Sequence, residues 1–109
     1  LVGLRRALEI ALLSESFDGR KALEFGLVNR VVTADTLEAE AEALAQRLAR
    51  GPTLAYGHMR RLMRTSFERS FADQLDAERD AFLASAATAD FGEGLAAFFE
   101  RRPAVFQGR

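Results

Sequence analysis

Apolar side chains recur every three or four residues along most of this 109-residue chain, and Gly or Pro interrupts the pattern at intervals. Between Val2 and Leu13, for example, the apolar positions include Leu4, Leu8 and Leu12. That spacing places them on one face of an α-helix, so residues 2–13 are predicted to form a core-facing helix. The sequence therefore predicts a set of amphipathic helices that form one small domain or part of one.

Cap and turn residues set the predicted ends of the other helices. An Asp or Ser side chain accepts hydrogen bonds from the free amides of a first turn, and Gly adopts the left-handed conformation that stops a helix. Asp35 with Glu38, and Asp90 with Glu93, also have the spacing of a capping box. Helices are therefore predicted from Asp18 to Gly26, Asp35 to Gly51, Pro52 to Phe67, Ser70 to Ala87 and Asp90 to Pro103. Residues 27–32 are rich in β-branched Val and are predicted to form a short extended segment.

The composition excludes several classes of function. Fifteen basic and sixteen acidic side chains give a formal charge of −1, so no overall field attracts nucleic acid or anionic lipid, and any anion site must be local. The absence of cysteine excludes disulfides, thiolate nucleophiles and cysteine metal sites. No apolar run approaches the roughly 20 residues that span a bilayer, and no signal peptide is evident. We therefore expect a cytoplasmic protein with no membrane and no nucleic-acid partner.

Few side chains suggest catalysis. His58 is the only histidine, which excludes a multi-histidine metal site, and no orienting carboxylate is identifiable for it. It is predicted to be an ordinary surface or half-buried residue. Glu78 falls on an otherwise apolar helix face; we expect it at an edge, paired with an arginine of a neighbouring helix, with a buried ion pair or a site acid as the alternative. No catalytic residue and no metal ligand is predicted.

Two clusters remain open to more than one interpretation. Gly92 and Gly94 weaken a short helix by about 1 kcal/mol each, which indicates either close approach of another backbone or a frayed helix start. The basic cluster of Arg60, Arg61, Arg64 and Arg69 makes one helix locally positive, a feature of helices that contact nucleic acid. The nearby Glu68 and the balanced total charge favour a solvated face instead.

Three segments together resemble the C-terminal part of the enoyl-CoA hydratase/isomerase family, the crotonases. They are GRKALEFGLVNRVV at residues 19–32, GPTLAYGHMRRLM at residues 51–63 and EGLAAFFERRPAVFQGR at residues 93–109. The resemblance covers the whole chain, and its order and separations are typical of the family. It implies a mostly helical, all-α fragment that is the C-terminal part of a crotonase-like α/β spiral fold.

The resemblance also implies a division of the chain. Residues 1–34 correspond to the last turn of the crotonase-like core, which is incomplete here, and residues 35–109 to the helical region that packs subunits into trimers or hexamers. The family's oxyanion-hole amides and acid/base carboxylates belong to the core that precedes this segment. We therefore expect a chain that self-associates and that is inactive alone.

A pair of residues carries over from the family as a candidate coenzyme A contact. An aromatic and a basic residue near the chain end reach the adenine and phosphate end of CoA in many members, and Phe98 and Arg101 occupy the matching positions. Lysine is usual where Arg101 stands, which preserves charge but changes geometry. No cofactor is expected for the chain itself, whereas the parent protein is expected to bind CoA thioesters.

Two functions remain open from the sequence. The first is the C-terminal segment of an acyl-CoA hydratase or isomerase, and the second is a non-catalytic helical interaction module derived from that family. The chain opens on Leu1, without methionine and inside a predicted helix, so we expect it to be the end of a longer protein.

Overall fold

The computed structural model describes residues 2–109, and Leu1 lies outside the described residues. Residues 2–109 contain six α-helices, one 3₁₀ turn at Ser66–Glu68 and no β-strand. The helices are α1 (Leu4–Leu13), α2 (Gly19–Glu24), α3 (Leu37–Ala49), α4 (Thr53–Thr65), α5 (Phe71–Ala86) and α6 (Ala89–Glu100). The helical fold class is confirmed. The predicted extended segment at residues 27–32 is irregular chain, because no strand among the described residues offers it a ladder.

Several predicted helix ends are confirmed by their hydrogen bonds. The Asp18 carboxylate accepts from the Lys21 amide at 2.8 Å and begins α2, and Gly26, with φ 75°, follows the end of that helix. The Ser70 hydroxyl accepts from the Asp73 amide at 3.2 Å and begins α5. Local side-chain chemistry therefore determines where these helices start.

Both predicted capping boxes are wrong. Helix α3 begins at Leu37, two residues after Asp35, and the Glu40 amide donates to the Thr36 carbonyl at 3.0 Å. The Thr33 side chain, followed by the backbone of Asp35 itself, lowers the pKa of the Asp35 carboxyl. Helix α6 is capped by Thr88, whose hydroxyl accepts from the Phe91 amide at 3.2 Å. The carboxylate expected to cap α6, that of Asp90, bonds elsewhere.

Chain contacts divide the protein into two compact units, Leu1–Ala41 and Glu42–Arg109. In the first unit the Phe17 and Phe25 rings meet edge to face, with centroids 5.4 Å apart. The guanidinium of Arg6 lies 4.6 Å from the Phe25 centroid, and its Nη1 donates to the Glu24 carbonyl at 3.4 Å. The interpretation of residues 1–34 as the last turn of a larger core stays a prediction.

In the second unit α5 packs against α4 and α6, and the Phe82 and Phe91 rings meet edge to face with centroids 6.1 Å apart. Among the described residues Ala97 is the only apolar residue that is buried, at 2% exposure. Phe67, by contrast, is 98% exposed. The helices therefore leave large parts of their apolar faces open. No helix within residues 2–109 combines the length and apolar character needed to cross a bilayer.

The arginine partner predicted for Glu78 is absent from the described chain. Glu78 is exposed, and its Oε1 accepts from Gln74 Nε2 of the same helix at 2.8 Å. The arginine of α5, Arg79, instead bonds to Asp76 at 2.8 Å and to Asp80 at 2.9 Å. The prediction of an interhelical pair was wrong because a neighbour one helical turn away satisfies the carboxylate.

The two glycines of α6 meet no second backbone within residues 2–109. A Cβ on Gly92 would have no atom within 4 Å, and a Cβ on Gly94 would lie 3.6 Å from the Phe106 ring. We therefore expect Gly92→Ala to raise the free energy of unfolding by about 1 kcal/mol in urea denaturation, because alanine loses less backbone entropy in a helix.

Gly51→Ala is the matched control, because its Cβ would overlap the Tyr56 ring, and it should lower the same free energy. A destabilising effect of Gly92→Ala would show that another backbone approaches this position.

Candidate functional site

The candidate site lies at the C-terminal end of α6, where the chain turns back on itself. The turn is made by Arg101, which has φ 54° in the left-handed region. Its amide donates to the Phe98 carbonyl at 3.3 Å, and the Arg102 amide donates to the Ala97 carbonyl at 3.0 Å. These bonds satisfy carbonyls that the helix end would otherwise leave free. Residues 102–109, the C-terminal tail, then run back along α6.

Asp90 holds the far end of the C-terminal tail. Its two carboxylate oxygens accept from the Gln107 amide at 2.7 Å and the Gly108 amide at 2.8 Å, and its own amide donates to the Arg109 carbonyl at 2.9 Å. Asp90 is only 5% exposed. A buried carboxylate is costly unless it is hydrogen-bonded, so these amides make its burial tolerable. Asp90 is therefore an anchor for the tail and not a helix cap.

Glu93 holds the near end of the tail, one turn further along α6. The Arg102 guanidinium binds it in bidentate fashion, with Nη1–Oε1 at 2.6 Å and Nη2–Oε2 at 2.9 Å, and the Val105 amide donates to Oε1 at 2.8 Å. The Arg102 hydrogen bond, followed by that of Val105, lowers the pKa of Glu93 from 4.5 to about 2. Glu93 and then Glu100 raise the pKa of Arg102.

The anchored tail closes one side of an apolar cavity of about 280 Å³. The Phe106 side chain of the tail is part of the cavity wall and packs against Gly94, on the side where another residue would carry its Cβ. Gly108, with φ 73°, lies against the Thr53 hydroxyl at the start of α4, where a side chain would not fit. The rest of the lining comes from Pro52, Leu54, Ala55, Ser85, Thr88, Asp90, Phe91 and Leu95.

Both residues predicted to contact coenzyme A lie at the exposed end of α6. Phe98 is 76% exposed, and its ring meets that of Phe99 edge to face with centroids 5.6 Å apart. Arg101 is exposed and makes no side-chain hydrogen bond or ion pair with residues 2–109. An aromatic face and a guanidinium are thus both available to a ligand at this end of the helix.

The anchoring roles of Asp90, Glu93 and Arg102 were not predicted from the sequence. The acidic residues at the start of α6 had the spacing of a capping box. Arg102 was consistent with a basic side chain that interacts favourably with the helix dipole. The sequence did contain a signal, because Pro103 prevents the helix from continuing, and the irregular chain after it needs partners for its backbone amides.

His58 has no partner that suggests catalysis. It is half-buried on α4, where it lines a shallow depression with Arg61, Arg69 and Asp80, as expected for an ordinary histidine. Throughout the part of the chain that the structure describes, no group of three or more His, Asp or Glu side chains is arranged to hold a metal ion.

A family model described as Enoyl-CoA hydratase/isomerase matches residues 1–109. The chain belongs to the enoyl-CoA hydratase/isomerase family. It is 33% identical over 109 residues to the 1,2-epoxyphenylacetyl-CoA isomerase of Escherichia coli, covering 100% of this chain and 42% of that protein. It is 35% identical over 108 residues to the 2,3-dehydroadipyl-CoA hydratase of the same organism, covering 99% and 42%.

Solved structures of the family share this fold. The subunit I enoyl-CoA hydratase structure from Geobacillus kaustophilus superposes with a TM-score of 0.91 at 35% identity, over 100% of this chain and 42% of that one. The matched region is the C-terminal helical part of the crotonase fold, which confirms the expected fold class. The chain thus spans less than half the length of these family members.

The charge state of Glu93 provides a test of the tail attachment. Because its pKa in the fold lies below the ordinary 4.5, its ionised form holds the tail fully above about pH 4.5, and the attachment weakens as pH falls through about 2. The Val105 amide shift, followed by NMR, should therefore titrate near pH 2. At neutral pH, Glu93→Gln should speed hydrogen exchange at Val105 because Arg102 loses its charged partner.

Glu38→Gln, an exposed acidic residue in the first turn of α3, is the control and should leave exchange at Val105 unchanged. A Val105 titration centred near pH 4.5 would contradict the bidentate pair.

Proposed function

We propose that this chain is the C-terminal segment of an acyl-CoA hydratase/isomerase subunit, where it helps subunits assemble and covers the CoA site. The observation that carries the proposal is the exposed pair Phe98 and Arg101 at the end of α6. Membership of the family and the CoA thioesters named for its relatives support it. In this proposal the chain supplies neither the oxyanion hole nor the acid/base carboxylates.

The two side chains have complementary chemistry for the nucleotide end of CoA. An aromatic face stacks on a base such as adenine, and a guanidinium binds a phosphate through paired hydrogen bonds. Because Arg101 has no partner among residues 2–109, its full donor set is available to a ligand. Phe98 and Arg101 are three residues apart, so one helix end presents both groups.

The backbone of Arg101 adds a second argument for its side chain. A left-handed conformation costs a residue with a Cβ about 1–2 kcal/mol, and glycine is the usual residue at this position of a helix end. Arg101 nevertheless occupies it with φ 54°. A local cost of this kind is often found where a side chain has a functional role.

The acidic residues near this site form hydrogen bonds that hold the C-terminal tail. Asp90 accepts two tail amides, and Glu93 accepts Arg102 and Val105 while its pKa is lowered to about 2. A carboxylate with so low a pKa is a poor proton acceptor at neutral pH. Thioester chemistry in the family requires amides that stabilise an enolate and carboxylates that move protons. We infer that residues outside this chain supply both.

The exposed apolar faces support the role in assembly. Phe67 is 98% exposed, Phe71 79% and Phe99 77%, and monomeric proteins seldom leave such side chains in contiguous patches. Packing against sister subunits in a trimer or hexamer would cover them. The same faces also favour the second function, a non-catalytic helical interaction module, and coenzyme A binding distinguishes the two.

The test uses a chimera in which residues 1–109 replace the matched segment of the Escherichia coli 2,3-dehydroadipyl-CoA hydratase. We expect the chimera to bind CoA in calorimetry. Arg101→Ala should weaken that binding about tenfold or more, because a hydrogen bond to a charged group is lost. Arg101→Gly should weaken binding equally while raising the free energy of unfolding by about 1 kcal/mol, since glycine tolerates φ 54°.

Arg50→Ala, another exposed arginine near a helix end, is the control and should bind CoA normally. Unchanged CoA binding in both Arg101 variants would refute the assignment. Turnover of a short enoyl-CoA by the isolated 109-residue chain would refute the absence of catalytic groups.

We also expect the isolated chain to self-associate in light scattering as its concentration rises. Phe67→Ser should reduce the measured mass, because it removes an apolar ring that is almost fully exposed and therefore contributes little to the fold of one copy. Gln46→Ser, a polar substitution on α3, is the control. A monodisperse monomer at all concentrations would argue against assembly through these faces.

A further inference from the structure

Helix α4 carries three arginines on one face. Arg60, Arg61 and Arg64 follow Gly57 at intervals of three, four and seven residues, which places all four positions on the same side of a helix. All three arginines are exposed, and none forms an ion pair or a side-chain hydrogen bond within residues 2–109. The face is therefore positive, and Asp80, which lines a depression with Arg61, forms its ion pair with Arg79 instead.

These residues line an open depression with a volume of about 360 Å³, which we call the arginine cup. It is lined by Gly57, Arg60, Arg61, Arg64 and Thr65 alone. A Cβ on Gly57 would have no atom within 4 Å, so the backbone at one end of the cup is open to an approaching ligand. The Thr65 hydroxyl donates its proton to the Arg61 carbonyl at 3.0 Å, so the guanidiniums are the free donors of the cup.

This arrangement is electrostatically unfavourable without a ligand. Like charges three and four residues apart on a helix repel each other, and only the last turn gains from the helix dipole. Glu68, which the sequence places one turn beyond Arg64, does not pair with it, because the chain enters the 3₁₀ turn at Ser66–Glu68. The acidic side chains of α5 have partners elsewhere, because Asp76 and Asp80 bond to Arg79, Asp73 to Ser70 and Glu78 to Gln74.

We propose that the arginine cup binds a compact, multiply charged phosphate anion, such as an oligophosphate or the phosphates of a nucleotide. Guanidinium groups bind phosphate oxygens through paired hydrogen bonds, and three of them together offset several negative charges. The volume of the cup is in the range of small-ligand sites. Such an anion removes the repulsion within the cup. This site involves neither Phe98 nor Arg101, so it does not depend on the function proposed above.

The structure changes the interpretation of this cluster. The sequence favoured a solvated face because Glu68 lies nearby and the total charge is balanced. Those two arguments fail locally, because the 3₁₀ turn separates Glu68 from Arg64 and because Asp76 and Asp80 of α5 bond to Arg79. Arg69, the fourth member of the sequence cluster, lies outside the cup, and its Nη1 donates to Gln74 at 3.3 Å.

The test is a titration of the 109-residue chain with sodium tripolyphosphate, followed by calorimetry and by amide NMR. We expect saturable binding that weakens with added salt, with shift changes concentrated at Gly57 and Thr65. Each of Arg60→Gln, Arg61→Gln and Arg64→Gln should weaken binding by about fivefold, and the triple variant should abolish it. Arg47→Gln, an exposed arginine at the end of α3, is the matched control and should bind normally.

Parallel titrations with pyrophosphate and ADP distinguish the source of the phosphate. Tighter binding of ADP assigns a nucleotide, and equal binding assigns a free oligophosphate. Circular dichroism checks that each variant keeps its helix content, and Arg61→Lys should retain more affinity than Arg61→Gln because it keeps the charge. Equal affinity in the triple variant and Arg47→Gln, shift changes away from α4, or binding of long polyphosphate but not tripolyphosphate would overturn the proposal.

Discussion

The attachment of the C-terminal tail to α6 organises the candidate site of this structure. Asp90 and Glu93, nearly one turn apart on the helix, together accept the amides of Val105, Gln107 and Gly108. Irregular chain carries backbone groups that must be paired wherever water is excluded, and these two carboxylates pair them. The position of Phe106 against Gly94, and therefore the closed side of the apolar cavity, depends on that attachment. Charge-assisted hydrogen bonds thus hold both ends of the tail against α6.

Two adjacent arginines at the end of α6 have different roles. Arg102 is held by Glu93 and Glu100, with three donor–acceptor distances between 2.6 and 2.9 Å, and it fixes the start of the tail. Arg101 makes the turn that brings Arg102 into that position, yet its own guanidinium stays unpaired among the described residues. The left-handed backbone of Arg101 thereby places Arg102 within reach of Glu93. One helix end can in this way be rigid and still offer a free guanidinium to a ligand.

Helices were predictable from this sequence because their signals are local. Apolar spacing located the helices, and Asp18 and Ser70 fixed two of their starts through bonds to amides three residues away. The errors arose where a side chain bonds over a longer distance. Asp90 and Glu93 have the spacing of a capping box, but Asp90 binds amides 17 and 18 residues further along the chain. No local pattern distinguishes these uses of the same two carboxylates. The prediction for Glu78 was wrong for the opposite reason, because its partner, Gln74, lies nearer in the sequence than the arginine that was expected.

Net charge conceals how the charges of this chain are distributed. A formal charge of −1 excludes a strong overall field, and it also implies that any anion site must be local. Asp76 and Asp80 of α5 bond to Arg79 of the same helix, whereas Arg60, Arg61 and Arg64 of α4 form no ion pair among the described residues. Since charge pairs within a helix form between residues that are close in sequence, the order of acidic and basic positions decides which side chains pair within one helix. A chain close to neutrality can therefore still present a concentrated positive face.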